Sequence, residues 1–271
     1  MRVIHRVGVR LSPQMREQLV ALGVRPARGS ILGGGDPLVA FDLAEDHPNW
    51  DEIRKLLLEQ WDPAESIVWT EFTNEETAAA RWLFIAAWHH GYPQPDDLND
   101  GYLEATYDLS NACSACGSGR RQNAPFQMKG EPKWGRNDMM QLIWVYDAIF
   151  AKPEVWSSVF EPHGVACRPV LNRRRKELET VVQLVVEETQ DIVGDGHAAQ
   201  ACERCGRTKY LPVARGMFPR LRAEPRSAMV RTNEYFGSGA QSSQALLVSQ
   251  AIAREIREQG IRGVTLIPVA Q

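Results

Sequence analysis

Cys113-Ser114-Ala115-Cys116-Gly117 and Cys202-Glu203-Arg204-Cys205-Gly206 are two copies of one pattern, a Cys-x-x-Cys-Gly turn. Together they hold four of the chain's five cysteines, leaving Cys167 alone. Two residues between cysteines let one tight turn aim both sulfurs at a single ion. The following glycine can take φ > 0, so nearby amides can face the thiolates. Two such knuckles make a complete set of four soft ligands. The expectation is therefore one structural Zn²⁺ per chain on Cys113, Cys116, Cys202 and Cys205, with no open position for catalysis. Iron also suits four thiolates. A redox dithiol usually opens a helix after a strand, whereas Gly117-Ser118-Gly119 and Gly206-Arg207-Thr208 read as loop. Disulfide stapling fits poorly with an odd number of cysteines and with a start that runs straight into a strand pattern. Reduced, metal-bound thiols in turn suggest the cytoplasm.

A chain of 271 residues, 44% of them hydrophobic, can build one large domain or two small ones. It contains no uninterrupted apolar run of about 18 residues, so no membrane-spanning helix is expected. The net charge of −3 is unevenly placed. Between Asp36 and Asp108 seventeen acidic residues face three basic ones, a balance of −14, and the remainder carries +11. A solvated acidic face accounts for this, and so does a surface that meets a basic partner.

Along the chain, Val3 to Leu11 shows partial period-two alternation and reads as a strand. Ser12-Pro13 is an N-cap with proline at the first helical position, and the helix ends at Gly23. Gly33-Gly34-Gly35-Asp36-Pro37 lacks the spacing and lysine of a phosphate-binding loop and reads as a turn. Leu38–Leu43 and Ser66–Phe72 are further strands, separated by a helix that Asn49 caps. Another helix starts at Thr73 or Asn74. Asn137 or Asp138 is expected to cap an amphipathic helix through Leu142, Ile143, Tyr146 and Ile149. Strands are expected at Gly164–Leu171 and Leu178–Val186, the Arg173-Arg174-Arg175-Lys176 run forming an exposed tip between them. Cys167 reads as a small buried apolar group. The final helix should bury Leu247, Val248, Ala251, Ile252 and Ile256, before a last strand within Ile261–Val269. The Gly237-Ser238-Gly239 loop reads as a cap, with an anion site on its amides as the sharper alternative.

Two further clusters invite chemistry. His89-His90 precede Asp96, Asp97 and Asp100, which would suit a metal or general acid–base work in a hydrolase or transferase. Adjacent histidines share neither a helical nor a strand face, however, so an aromatic-anchored linker is the plainer reading. Arg204, Arg207, Lys209, Arg215, Arg220, Arg222, Arg226 and Arg231 form a basic stretch, and zinc knuckles with arginines occur in nucleic-acid readers.

Residues 110–271 resemble the bacterial double-CxxCG motif proteins, a group that includes immunity proteins of toxin systems. The matching parts are Cys113–Gly117, Arg168-Pro169-Val170-Leu171-Asn172, Leu178–Val186, and Cys202–Arg207 with Leu211-Pro212. Phe236-Gly237-Ser238-Gly239-Ala240 and Gly260–Val264 add a tail like that of related immunity proteins. The acidic first third is additional to that pattern. The resemblance implies a non-enzymatic zinc protein that binds another protein. The expected architecture is α+β: an N-terminal α/β sandwich-like domain over residues 1–95, then a zinc-stapled α+β domain over 96–271 with split zinc-ribbon-like knuckles. The expected function is binding and neutralising, or regulating, a protein partner such as a basic toxin, with Asp96, Asp97 and Asp100 on the contact surface. A nucleic-acid reader using the basic stretch 204–231 is the alternative.

Overall fold

The computed structural model describes residues 1–26, 35–63, 66–95 and 101–271. Asp96, Asp97 and Asp100, with Gly33 and Gly34, lie outside them. The chain is α+β and divides into two compact units, Met1–Thr73 with Ala214–Gly216, and Asn74–Val213 with Met217–Gln271.

The first unit runs β1 (Arg2–Arg10), α1 (Pro13–Ala21), β2 (Leu38–Ala44), α2 (Trp50–Leu57) and β3 (Ile67–Glu71). β1 is the central strand, antiparallel to both neighbours. Its alternation aims Val7 and Val9 at Leu19 of α1 and at Ile53 and Leu57 of α2, giving a sheet layer with its helices in one apolar core. Ser12 Oγ accepts from the Met15 amide at 3.2 Å and Pro13 opens the helix, the capping the sequence predicts. His5 is fully buried between Trp50 and Trp61. Its ring nitrogens meet Ser66 Oγ at 2.5 Å and Glu45 Oε1 at 2.7 Å. Arg215 also donates to Glu45, at 2.6 Å.

The second unit starts with α3 (Asn74–Ala79) and β4 (Trp82–Ala87). The short helix α4 (Gly101–Thr106) leads into the hairpin of β5 (Tyr107–Asp108) and β6 (Arg121–Gln122). Then come β7 (Gln127–Met128), β8 (Met139–Leu142) and β9 (Val145–Ala151). α5 (Pro153–Val155) continues through a π turn (Trp156–Phe160) and a 3-10 turn (Glu161–His163). β10 (Cys167–Asn172), β11 (Glu177–Leu184), β12 (Thr189–Gln190), β13 (Ala199–Ala201) and β14 (Thr208–Tyr210) follow. The chain closes with β15 (Met229–Phe236), β16 (Ser243–Ser249), α6 (Gln250–Glu258) and β17 (Val264–Pro268).

One sheet has the order β7-β10-β11-β9-β8, and the larger one β13-β14-β15-β16-β4-β17 with β12 beside β15. β4 sits between the last two strands of the chain. The compact N-terminal unit therefore closes after Thr73 rather than near residue 95. One core joins Leu83 and Ile85 of β4, Ile149 and Ala151 of β9, Leu246 and Val248 of β16, and Ile252 and Ile256 of α6. Phe126, Met140, Phe150 and Val181 fill a second core.

Two expectations are corrected here. Residues 139–151 form the β8–β9 hairpin and not a helix. Residues from these two strands enter both cores, so the run is apolar apart from Gln141 and Asp147 and lacks the period-two signature of a half-buried strand. Its turn carries no glycine: Trp144 itself takes φ 69°. Asp138 is not a helix cap; it pairs with Lys152 at 2.8 Å across the hairpin and accepts from the Arg262 amide at 3.0 Å. Leu247 and Val248 belong to strand β16, and the helix begins at Gln250. Among the described residues no helix is long and apolar enough to cross a membrane.

Candidate metal centre

Each Cys-x-x-Cys-Gly turn lies within a two-stranded antiparallel hairpin. Cys113 and Cys116 lie between β5 and β6, and Cys202 and Cys205 between β13 and β14. The two knuckles are closed alike. The Cys113 amide donates to the Ser118 carbonyl at 2.9 Å, and the Gly117 amide to the Cys113 carbonyl at 2.7 Å. In the second knuckle, the Cys202 amide donates to Arg207 O at 2.9 Å and the Gly206 amide to Cys202 O at 2.8 Å. Gly117 and Gly206 take φ 74° and 71°, the left-handed region where a side chain is strained.

The two turns meet. All four sulfurs lie within 4.8 Å of one another, so the cluster could hold a metal ion. Cys113 Sγ is 3.8 Å from Cys202 Sγ, and Cys116 Sγ is 3.7 Å from Cys205 Sγ. Four thiolates about 2.3 Å from a central ion form a tetrahedron with edges of about 3.8 Å. All four are free thiols. The first pair is buried, Cys202 is half-buried and Cys205 is exposed.

The local field favours thiolates on the first knuckle. The amides of Cys116 and Ala115 draw the Cys113 thiol down. Burial pushes the Cys116 thiol up, but the Ser118 hydroxyl and amide and the neighbouring thiols outweigh it and hold the group at about 6. At Cys205 the Arg207 amide pulls downward. Burial and hydrogen bonds with the other three thiols prevail and raise it to about 11. Four crowded sulfurs thus share their protons unequally, and a bound cation would displace those that remain.

The surroundings tie the knuckles together. Arg204 Nη1 donates to Ser114 Oγ at 2.7 Å, and Arg207 Nη1 to the carbonyls of Asn111 and Ser118 at 2.8 and 3.2 Å. The Phe236–Ala240 tail packs on the same place. A Cβ on Gly117 would lie 2.3 Å from the Ala240 carbonyl oxygen. The buried hydroxyls of Ser118 and Ser242 meet at 2.7 Å, and Arg120 Nη2 donates to Ser242 O at 2.8 Å. Buried Lys209 donates to the carbonyls of Gly239 at 2.6 Å and Gln241 at 2.9 Å. The Gly-Ser-Gly loop thus turns carbonyls towards a lysine, which a composition-based reading does not reveal.

The other candidates are placed differently. His89 packs edge-on to Tyr146, and His90 stacks on Trp88 and accepts from the Lys133 amide at 3.4 Å. Burial lowers both imidazoles, aided at His90 by Lys133. Neither has a carboxylate within hydrogen-bonding distance among the described residues. Within the basic stretch, Arg204, Arg207, Lys209 and Arg231 are engaged by backbone or side-chain oxygens, and Arg215 by Glu45. The Arg173–Lys176 tip is exposed as expected. Cys167 is half-buried on β10, where burial and then Glu161 push its thiol up. Comparison with protein-family models, curated proteins and solved structures found no match.

Proposed function

We propose that this chain is a non-enzymatic zinc protein that binds a protein partner, in the manner of an immunity or antitoxin protein. The observation that carries the reading is a convergence. The two Cys-x-x-Cys-Gly segments that carry the resemblance to double-CxxCG proteins, Cys113–Gly117 and Cys202–Arg207, meet at the four sulfurs, and the Phe236–Ala240 tail, a weaker part of the resemblance, packs beside them. Four thiolates complete a tetrahedral ion and leave it no site for substrate, so zinc here would act as a staple. The partner is expected to be basic, meeting the acidic segment that includes Asp96, Asp97 and Asp100.

The first test is elemental analysis of protein purified without chelator. One zinc per chain, lost in Cys202→Ser together with the fold of the second unit, supports the staple. Reactive thiols with no metal would refute it. The second test titrates the zinc-loaded chain against purified basic toxin domains. Binding that weakens with salt, and weakens further when Asp96, Asp97 and Asp100 are reversed to lysine with zinc content unchanged, supports the partner reading. Saturable salt-dependent binding of RNA or DNA, with no protein bound, would favour the nucleic-acid alternative.

A further inference from the structure

Beside the first knuckle hairpin, the second unit contains a cleft of about 640 Å³ between strands of its two large sheets. Arg120 and Arg121 reach it from the β5–β6 hairpin, Arg168 from β10 and Arg231 from β15. The phenol ring of Tyr107 is buried at its wall, with Arg120 over its face at 5.4 Å.

Elsewhere among the described residues some arginines have carboxylate partners, while others, such as Arg174 and Arg175 at the exposed tip, stand singly in solvent without one. Arg2 pairs with Asp46, Arg6 with Asp42 and Arg81 with Glu224. The cleft gathers four arginines without such a partner around one cavity. Asp147 and Glu187 also line it, yet among the described residues no carboxylate lies within 4.0 Å of any of its four guanidinium groups. Arg120 and Arg231 are oriented by single bonds to the backbone carbonyls of Ser242 and Val186. Arg168 is half-buried with no side-chain partner among the described residues.

Gathering four guanidinium groups around two carboxylates, neither of them paired with an arginine, leaves an excess of positive charge that an anion would neutralise. Their planar forks match the oxygens of phosphate and carboxylate groups, and the volume lies in the range typical of small-molecule sites. Reciprocally paired Gln122 and Gln183 add neutral amides to the lining, bonded to one another at 2.7 and 2.9 Å.

We infer that this cleft binds a compact polyanion, a small molecule bearing several phosphate or carboxylate groups, with Arg168 as its principal unpaired contact. The inference is independent of the metal and of the protein-binding surface.

Calorimetry on the metal-loaded full chain tests it, using glucose 1,6-bisphosphate and tricarballylate as weakly chelating probes and measuring metal content afterwards. One saturable site per chain with a sub-millimolar dissociation constant is expected for at least one probe, and the stronger binder tells phosphate from carboxylate chemistry. Arg168→Gln should weaken it by about tenfold or more, the loss of a charge-assisted contact. Arg121→Gln should weaken it less, and Arg81→Gln not at all. No saturation by either probe would overturn the inference, as would wild-type affinity in both Arg168→Gln and Arg121→Gln. Preferential binding of an oligonucleotide, abolished by the same substitutions, would also overturn it.

Discussion

Gly117 and Gly206 are equivalent in sequence, each following the second cysteine of its knuckle, and their φ angles differ by only a few degrees. Their surroundings are not equivalent. A Cβ at Gly206 would meet nothing within 4 Å, whereas one at Gly117 would lie 2.3 Å from the Ala240 carbonyl oxygen. Gly206→Ala therefore carries only the cost of a left-handed residue, about 1–2 kcal/mol. Gly117→Ala carries that cost and must also move the backbone at Ala240. A forced shift in a packed region adds about 1–3 kcal/mol. With a further loss of about 2 kcal/mol and about 2–4 °C of melting temperature per kcal/mol, the Gly117 variant should melt about 4–8 °C below the Gly206 variant. The assay is thermal unfolding of both variants at one fixed free-metal concentration, since bound metal itself shifts the transition. Equal melting temperatures, or a lower one for Gly206→Ala, would refute the packing of the tail against the first knuckle.

Lys209→Met should cost about 2–3 kcal/mol by leaving two carbonyls of the 237–242 loop without their donor, read out by denaturant unfolding. Asp138→Ala should cost about 2–3 kcal/mol, and its effect should be markedly non-additive with Lys152→Met in a double-mutant cycle, which a helix-capping role would not produce. At Glu188 burial pushes the carboxyl up, but the Arg226 and Ser227 amides, with Ser227 and Gln190 side chains, hold it at about 2 against an ordinary 4.5. A depressed folded value stabilises above the unfolded one, and that stability is lost as pH falls through the folded value. Glu188→Gln should thus destabilise by about 1–2 kcal/mol at neutral pH. Across melts taken between pH 5 and pH 2, both values set by the two carboxyl positions above, that difference should shrink towards zero.

Where one face of an element is wet, its pattern could be read from the sequence. β1 alternates because only one side meets α1 and α2, and Ser12-Pro13 marks a helix start by chemistry that needs no tertiary context. The cysteine pairs were legible for the same reason: their spacing is a local constraint on a turn. Residues 139–151 were not, because strands whose residues feed two cores lose their alternation, and a Trp144 turn gives no composition signal. β4 was missed since its partners, β16 and β17, lie at the far end of the chain. The arginine cleft was illegible too. Arg120, Arg168 and Arg231 are far apart in sequence, and which arginines lack a carboxylate is a property of packing alone.

The arrangement of the knuckles says what a metal would contribute. Cys113 and Cys202 are 89 residues apart, and so are Cys116 and Cys205. Between the two hairpins the chain builds β7 to β12, most of it in the five-stranded sheet. A cross-link closing a loop of that length removes about 4–5 kcal/mol of conformational freedom from the unfolded chain in the loop-closure picture. Among the described residues the side-chain hydrogen bonds that join the hairpins are Arg204 on Ser114, and Arg207 on the carbonyls of Asn111 and Ser118. Such hydrogen bonds are individually weak. The sulfurs therefore stand where a long loop closes and where the hydrogen bonds between the hairpins are polar, and a metal held there would join the two hairpins directly.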